Sequence, residues 1–286
     1  IEKNIIIDGT QHIIDGVNSA PFFKIKGNVI FKNLTFRNGF SHLENLIDIE
    51  GEVTFKNCNF INNKVRGKAK LISMNESVSF INCNFINNSS KNTPLISNHC
   101  NASMANSDLI NNNAKDSSIV ANHVGCNLTM QDSKIIDSFC DSVNHSILIN
   151  QGNMKLLSST CSFNQTNGSG GVIYNLRPYN ENEETINSIL NVDGCEFSNN
   201  YARITAGVLL NGDFAEAYVK NSRFIKNNAF MHSGASVIEN RDKGYLEVVD
   251  STFSDNETKT GNYYFLHYDG AIANSGKFNV ERCEFR

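Results

Sequence analysis

One pattern keeps returning along this chain. Asn57-Cys58-Asn59-Phe60-Ile61-Asn62-Asn63 reappears as Asn82-Cys83-Asn84-Phe85-Ile86-Asn87-Asn88, and its centre again as Cys195-Glu196-Phe197-Ser198-Asn199-Asn200. The Phe position reads Phe36, Phe60, Phe85, Leu109, Ile135, Phe163, Phe197, Phe224, Phe253 and Phe285, at steps of 24 to 34 residues. A period of this size marks a stacked solenoid, whose units are each too small to bury an apolar face alone.

Each repeat resolves into three short extended pieces. The first alternates apolar and polar residues, as in Val29/Phe31, Val53/Phe55, Val78/Phe80, Leu128/Met130, Leu190/Val192 and Leu246/Val248. A period of two places one face inward. The second is the Cys-x-Phe piece, and the third is a short apolar run such as Leu46 to Ile49 or Leu71 to Met74. No segment has the spacing of an amphipathic helix. Stacked coils of this kind pair their strands in parallel, and parallel crossovers are right-handed. The expected fold is all-β: a right-handed parallel β-helix (solenoid) with about three short strands per coil, some eleven coils and roughly 50 Å long at ~4.8 Å per coil. It forms a single domain over residues 1–286, with 1–20 as the opening coil built on the Asp8-Gly9 and Asp15-Gly16 turns. The last residues fall mid-repeat, so the natural chain is expected to continue beyond Arg286.

From the fourth coil on, the third piece ends in Asn: Asn98, Asn122, Asn150, Asn175, Asn211, Asn240 and Asn274. Earlier coils place Ile25, Ile49 and Met74 there. Stacked amides of this kind form a structural ladder, each bonded to its neighbours above and below, at a corner where Asn tolerates the left-handed conformation. Five of the eight Cys (Cys58, Cys83, Cys161, Cys195, Cys283) fall at one repeat position, which elsewhere holds Leu34, Ser107, Ser133, Ser222 and Ser251. A position that accepts Cys, Ser or Leu calls for a small buried side chain, so reduced inward thiols are expected. Stacking also puts Cys58 and Cys83 within disulfide reach. Cys100, Cys126 and Cys140 lie off this row.

At this point the residues carry a family likeness. The chain resembles the adhesin-like surface proteins of methanogenic archaea. The motifs are Ile7-Asp8-Gly9-Thr10-Gln11-His12-Ile13-Ile14-Asp15-Gly16, Asn28-Val29-Ile30-Phe31-Lys32-Asn33-Leu34-Thr35-Phe36, Gly170-Gly171-Val172-Ile173-Tyr174-Asn175 and Asp269-Gly270-Ala271-Ile272-Ala273-Asn274-Ser275-Gly276. The Gly-Gly-apolar-Ile and Phe-x-x-Asn tetrads are also similar to those of chlamydial polymorphic outer-membrane proteins. The Gly pair is degenerate in most coils, as at Thr93-Pro94, Ser117-Ser118 and Ala206-Gly207. The resemblance implies an extracellular, cell-surface location, anchored by regions outside this segment. It also implies a non-catalytic role in attachment to a host cell, a neighbouring microbe or a polysaccharide. It transfers no catalytic residues. Asn-x-Ser/Thr acceptors at Asn33, Asn75, Asn88, Asn101, Asn127, Asn144, Asn164, Asn167 and Asn256 fit a glycoprotein.

A net charge of -4 without basic runs argues against nucleic acid, and no apolar stretch is long enough to span a membrane. The expected partner is a glycan or a surface protein of another cell, met by a monomer with no cofactor and no metal. Enzymes on such a scaffold need clustered outward carboxylates. The outward rows give opposite-sign neighbours, Asp108 with Lys134 and Glu196 with Arg223, but no acidic pair. His99 and His123 should stack without further ligands. All eight Tyr lie in the second half, together with the insertions. The candidate ligand-binding residues are therefore Tyr201, Arg203, His232, Tyr263, Tyr264, His267 and Tyr268, on loops of one edge, with a second insertion from Leu176 to Thr185 at another corner. Two alternatives stand beside attachment: a polysaccharide lyase or glycoside hydrolase, and a structural stalk that displays another domain.

Overall fold

The computed structural model describes residues 1–177, 188–230, 235–258 and 270–286. The described chain is all-β and winds as a right-handed parallel β-helix. Each coil visits four sheets in turn. Sheet 1 runs from Ile5–Asp8 to Lys277–Glu281 and sheet 2 from Ile13–Asp15 to Glu284–Phe285, with eleven strands each among the described residues. Sheet 3 runs from Phe40–Ser41 to Glu257–Thr258 with nine strands, and sheet 4 from Phe23–Ile25 to Ile272–Asn274 with ten. Every ladder is parallel and in register, so Phe31 lies on Phe55 and Phe55 on Phe80.

Sheet 3 adds a fourth strand to the three expected per coil. Its strands are two or three residues long and turn a single side chain inward, such as Val65, Ser90, Ala114, Cys140 or Ala202. One small inward residue leaves no alternation to detect. The stretch after the Asn pair is therefore a strand, not a projecting loop.

Like stacks on like along the interior. Phe31, Phe55 and Phe80 form one column, at ring centroid spacings of 5.1 and 5.2 Å, and Phe36, Phe60 and Phe85 a second, at 5.2 and 4.6 Å. The two columns meet edge-on, as Phe55 and Phe60 do at 5.3 Å. This offset and T-shaped geometry suits the aromatic quadrupole. The second column continues through Leu109, Ile135, Cys161 and Phe197.

That last step corrects the expected row. Cys161, not Phe163, occupies the aromatic column, and Ser159 takes the place expected for Cys161. Phe163 stands at a left-handed corner with φ of 57° and is 52% exposed. The cause is Asn164. It belongs to a buried amide ladder three residues after the column, and keeping it in line moves Phe163 outward.

Three side-chain ladders close three of the four corners. Between sheets 1 and 2, the N–H of Ser107 donates to Ser133 Oγ, that of Ser133 to Ser159 Oγ, that of Ser159 to Cys195 Sγ and that of Cys195 to Ser222 Oγ. Each hydroxyl or thiol donates onward to a carbonyl, as Ser107 Oγ does to Ala105 O at 2.9 Å and Cys195 Sγ to Leu156 O at 3.2 Å. Cys and Ser therefore interchange as hydrogen-bonding groups, beyond the expected match in size. All eight cysteines are free thiols, Cys58 and Cys83 included.

Between sheets 2 and 3, Asn63, Asn88 and Asn112 stack, then Asn164, Asn200, Asn227 and Asn256, with Ser138 bridging the two runs. Each Asn Nδ2 also donates to a carbonyl of the preceding coil, as Asn88 does to Phe60 O at 2.8 Å.

Between sheets 4 and 1, the expected ladder is present. Asn98, Asn122, Asn150, Asn175, Asn211, Asn240 and Asn274 are linked Nδ2 to Oδ1 at 2.7 to 2.8 Å. Its residues end strands and do not take the left-handed conformation. That conformation belongs to other polar residues, among them Asn33, Asn57, Asn82 and Asn106 at one corner and Asn38, Asn62, Asn87 and Asn111 at another. The remaining corner, from sheet 3 to sheet 4, carries no such ladder among the described residues.

Candidate functional site

A scaffold with four flat sides offers its outward columns as surfaces. Tyr201 sits on the outer face of sheet 3, paired between Gln165 and Asn228. Burial raises the pKa of its phenol. Arg203 follows it, exposed. These two are strand-face neighbours, not tips of a protruding loop. His232, Tyr263, Tyr264, His267 and Tyr268 lie outside the described residues, as does most of the Leu176 to Thr185 insertion.

The more developed constellation lies on the outer face of sheet 1. One column, in register, reads Ile30, Thr54, Ser79, Ser103, Thr129, Lys155, Asn191, Tyr218, Glu247 and Asn279. The adjacent column reads Asn101, Asn127, Asn153, Ile189, Glu216, Tyr245 and Lys277. Amides and hydroxyls bond along both, as Asn127 Nδ2 does to Asn101 Oδ1 at 2.7 Å and Ser103 Oγ to Ser79 Oγ at 3.0 Å.

Toward the C-terminal end the two columns bring together two tyrosines and two glutamates. Glu216 and Tyr218 share one strand, while Tyr245 and Glu247 share the next in reversed order. Each Tyr therefore faces a Glu across the ladder, and the like residues sit on the diagonals. Tyr218 Oη donates to Glu216 Oε2 at 2.9 Å and Tyr245 Oη to Glu247 Oε2 at 3.2 Å. The rings lie 5.5 Å apart at 51°, and Lys220 Nζ stands 3.6 Å from Glu247 Oε1. Burial, followed by the hydrogen bond to Glu216, pushes the Tyr218 phenol up to about 12, and burial followed by the hydrogen bond to Glu247 raises Tyr245. Both phenols therefore stay protonated near neutral pH. They act as fixed donors and apolar ring faces, not as bases. All four side chains are half-exposed. The quartet falls outside the residues expected from the sequence, because Glu216 and Tyr245 stand one column away from Tyr218 and Glu247. The Glu-x-Tyr and Tyr-x-Glu spacings were the available signal.

His99 and His123 do stack, at 4.1 Å and 6°. Ser97 Oγ lies 3.0 Å from Nε2 of His99 and 2.8 Å from that of His123. Burial, reinforced by His99 and Lys70, lowers His123 to about 4, so the pair is a neutral packing element at pH 7. Among the described residues no group of three or more His, Cys, Asp or Glu is placed to hold a metal. No described helix is long and apolar enough to cross a membrane. Of the glycosylation acceptors, Asn88 and Asn164 are buried ladder residues, while Asn75, Asn101, Asn127 and Asn144 are exposed.

No family model matches the chain. No curated protein matches it either. Six solved chains do. One is the crystal structure of the Dettilon tailspike protein, at 10% identity and a TM-score of 0.47, aligned over 98% of this chain. This chain spans 60% of the length of that one.

Proposed function

We propose that the chain is a non-catalytic attachment module of a cell-surface protein, which binds glycan along the outer face of sheet 1. The observation that carries this reading is the Tyr218–Tyr245, Glu216–Glu247 quartet. Half-exposed phenol rings give apolar faces for sugar rings, and carboxylates beside them accept sugar hydroxyls. The internal Tyr-to-Glu bonds hold these groups in place before ligand arrives, which limits the ordering cost of binding. Asn191, Asn279 and the hydroxyls further along the column extend a polar track that a linear glycan would follow. The likeness to archaeal and chlamydial surface proteins supports an extracellular location. A glycan array of the whole chain, followed by Tyr218→Ala with Tyr245→Ala, tests the reading. The double variant should lose at least tenfold in glycan affinity with its melting temperature little changed. Unaltered glycan binding in the variant, or an array blank for the parent chain, sinks it, and the blank array points to a stalk.

A second reading draws on the same quartet. Glu216 and Glu247 are diagonal neighbours on adjacent strands. Glycoside hydrolysis uses a pair of carboxyl groups flanking the scissile bond. New reducing ends from a glycan panel, abolished by Glu247→Gln, would make the chain an enzyme.

A further inference from the structure

We propose that the N-terminal half carries a second binding surface, on the outer face of sheet 3, for a linear anionic polysaccharide bearing uronate or sulfate groups. The carrying observation is a column of cations. Lys91 and Lys115 are register partners on adjacent coils. Lys64 pairs with Ser89, and Arg66 follows the end of that strand, its N–H bonded to Ser41 O of the coil below. All four side chains are exposed. Successive coils thus present Arg66, Lys91 and Lys115 at intervals of ~4.8 Å, with Lys64 alongside.

Three coils in succession set like charge against like charge, an arrangement that weakens strand pairing. The fold does not neutralise it. Among the described residues, Asp141 is the carboxylate in ion-pair range of these four, 3.8 Å from Lys115 Nζ at the C-terminal end of the column. Some charges on other faces are paired, as Arg223 is with Glu196 and Lys24 with Glu50. A chain of net charge -4 that gathers these four exposed cations on one side, with a single carboxylate at the end of the column, is complementary to an external polyanion.

The chemistry between the cations decides which polyanion. The neighbouring outward column offers Ser89 and Asn113, a hydroxyl and an amide suited to sugar hydroxyls. The column Lys64, Ser89 and Asn113 holds no aromatic ring as a base-stacking platform of the kind single-stranded nucleic acid uses; Phe40 and Phe139 stand one coil beyond it at either end, so the DNA comparator below bears directly on the choice of polyanion. Three coils, ~10 Å along the axis, are too short to follow a duplex backbone. A polysaccharide that advances one sugar for about each coil rise of ~4.8 Å meets one cation per ring. This surface differs in sheet and in half from the Tyr–Glu quartet, so neither depends on the other.

The test is binding of the whole chain to immobilised polyuronate and sulfated glycan, with neutral dextran and single-stranded DNA of matched charge as comparators, from low to moderate salt. Retention on at least one anionic glycan is expected, with no retention on dextran, and with affinity falling as salt rises. Arg66→Gln with Lys91→Gln and Lys115→Gln should lose tenfold or more. Arg66→Lys with Lys91→Arg and Lys115→Arg should keep most of the affinity. Failure to bind both anionic glycans at low salt overturns the proposal. So does equal binding by the glutamine and charge-keeping variants, or DNA binding as tight as that of the glycans.

Discussion

At the scale of single residues, the thiols show how one side-chain type serves two environments. Cys195 stands in the hydroxyl ladder. It accepts from the Ser159 N–H at 3.5 Å and donates to Leu156 O at 3.2 Å. Cys161 stands in the aromatic column between Ile135 and Phe197, fully buried, where burial pushes its thiol well up. The Cys195→Ser chain should stay within about 1 kcal/mol of the parent, because serine makes both bonds at the equivalent places Ser107 and Ser133. Cys161→Ser should cost about 1–3 kcal/mol, because a hydroxyl enters an apolar column. Denaturant unfolding of the two variants measures the difference. Equal costs would mean that the two-residue shift at Ser159 to Phe163 is wrong. The sequence reading placed both cysteines in one row because a lone Phe163 outweighed the rule that the column residue is followed three later by Asn. That rule holds at Phe60, Phe85, Leu109 and Phe197, and applied at Cys161 it selects Asn164.

At the scale of elements, legibility followed the number of inward residues per strand. Most strands of sheets 1, 2 and 4 turn a large apolar residue inward, as Phe55, Phe60 and Ile72 do, and their columns are readable from spacing except where Cys161 takes the place in sheet 2. Sheet 3 strands turn in one small residue apiece and were invisible. The ladder between sheets 4 and 1 was legible because its Asn recurs without exception from Asn98 onward. Its energetics needed the coordinates. Asn150 accepts from Asn122 Nδ2 and donates to Asn175 Oδ1, both at 2.8 Å, and also donates to Ile189 O at 3.0 Å. Asn150→Ala strands groups on both neighbouring coils in a buried corner, a loss on the order of 3 kcal/mol. Asn98 is the first rung and lies in register with Met74. Asn98→Met lengthens the apolar run at that position and interrupts the ladder on one side, so it should cost about half as much. Thermal melts of the two variants check the order. If Asn98→Met proves the more damaging, the ladder is not acting through its continuity. The quartet on sheet 1 was illegible for a related reason. Glu216 meets Tyr245 only when two strands one full coil apart are in register, and a single outward row does not carry that information.

At the scale of the whole molecule, each coil touches the coils above and below, so stability is a sum of local units and their interfaces. The sides of the helix are therefore free to differ, with hydroxyls and the Tyr–Glu quartet on sheet 1 and cations on sheet 3. The same independence predicts which deletions the chain tolerates. Removing residues 83–106, one full turn of 24 residues, joins Asn82 to Ser107. Phe60 then lies on Leu109, Phe80 on Met130 and Asn63 on Asn112, each a pairing of like character, and Met74 on Asn122 repeats the native contact of Met74 with Asn98. Two interfaces are replaced by one, and the loss should be a few degrees in Tm with β-type circular dichroism and a cooperative melt retained. Removing residues 83–94 instead leads from a sheet 1 strand straight to Leu95 and the sheet 4 strand, which puts every later column out of line. That chain should fail to give a cooperative melt. Should the full-turn deletion unfold while the half-turn deletion folds, stacking of equivalent positions would not be what holds the molecule together. The faces built on that stacking would lose their basis with it.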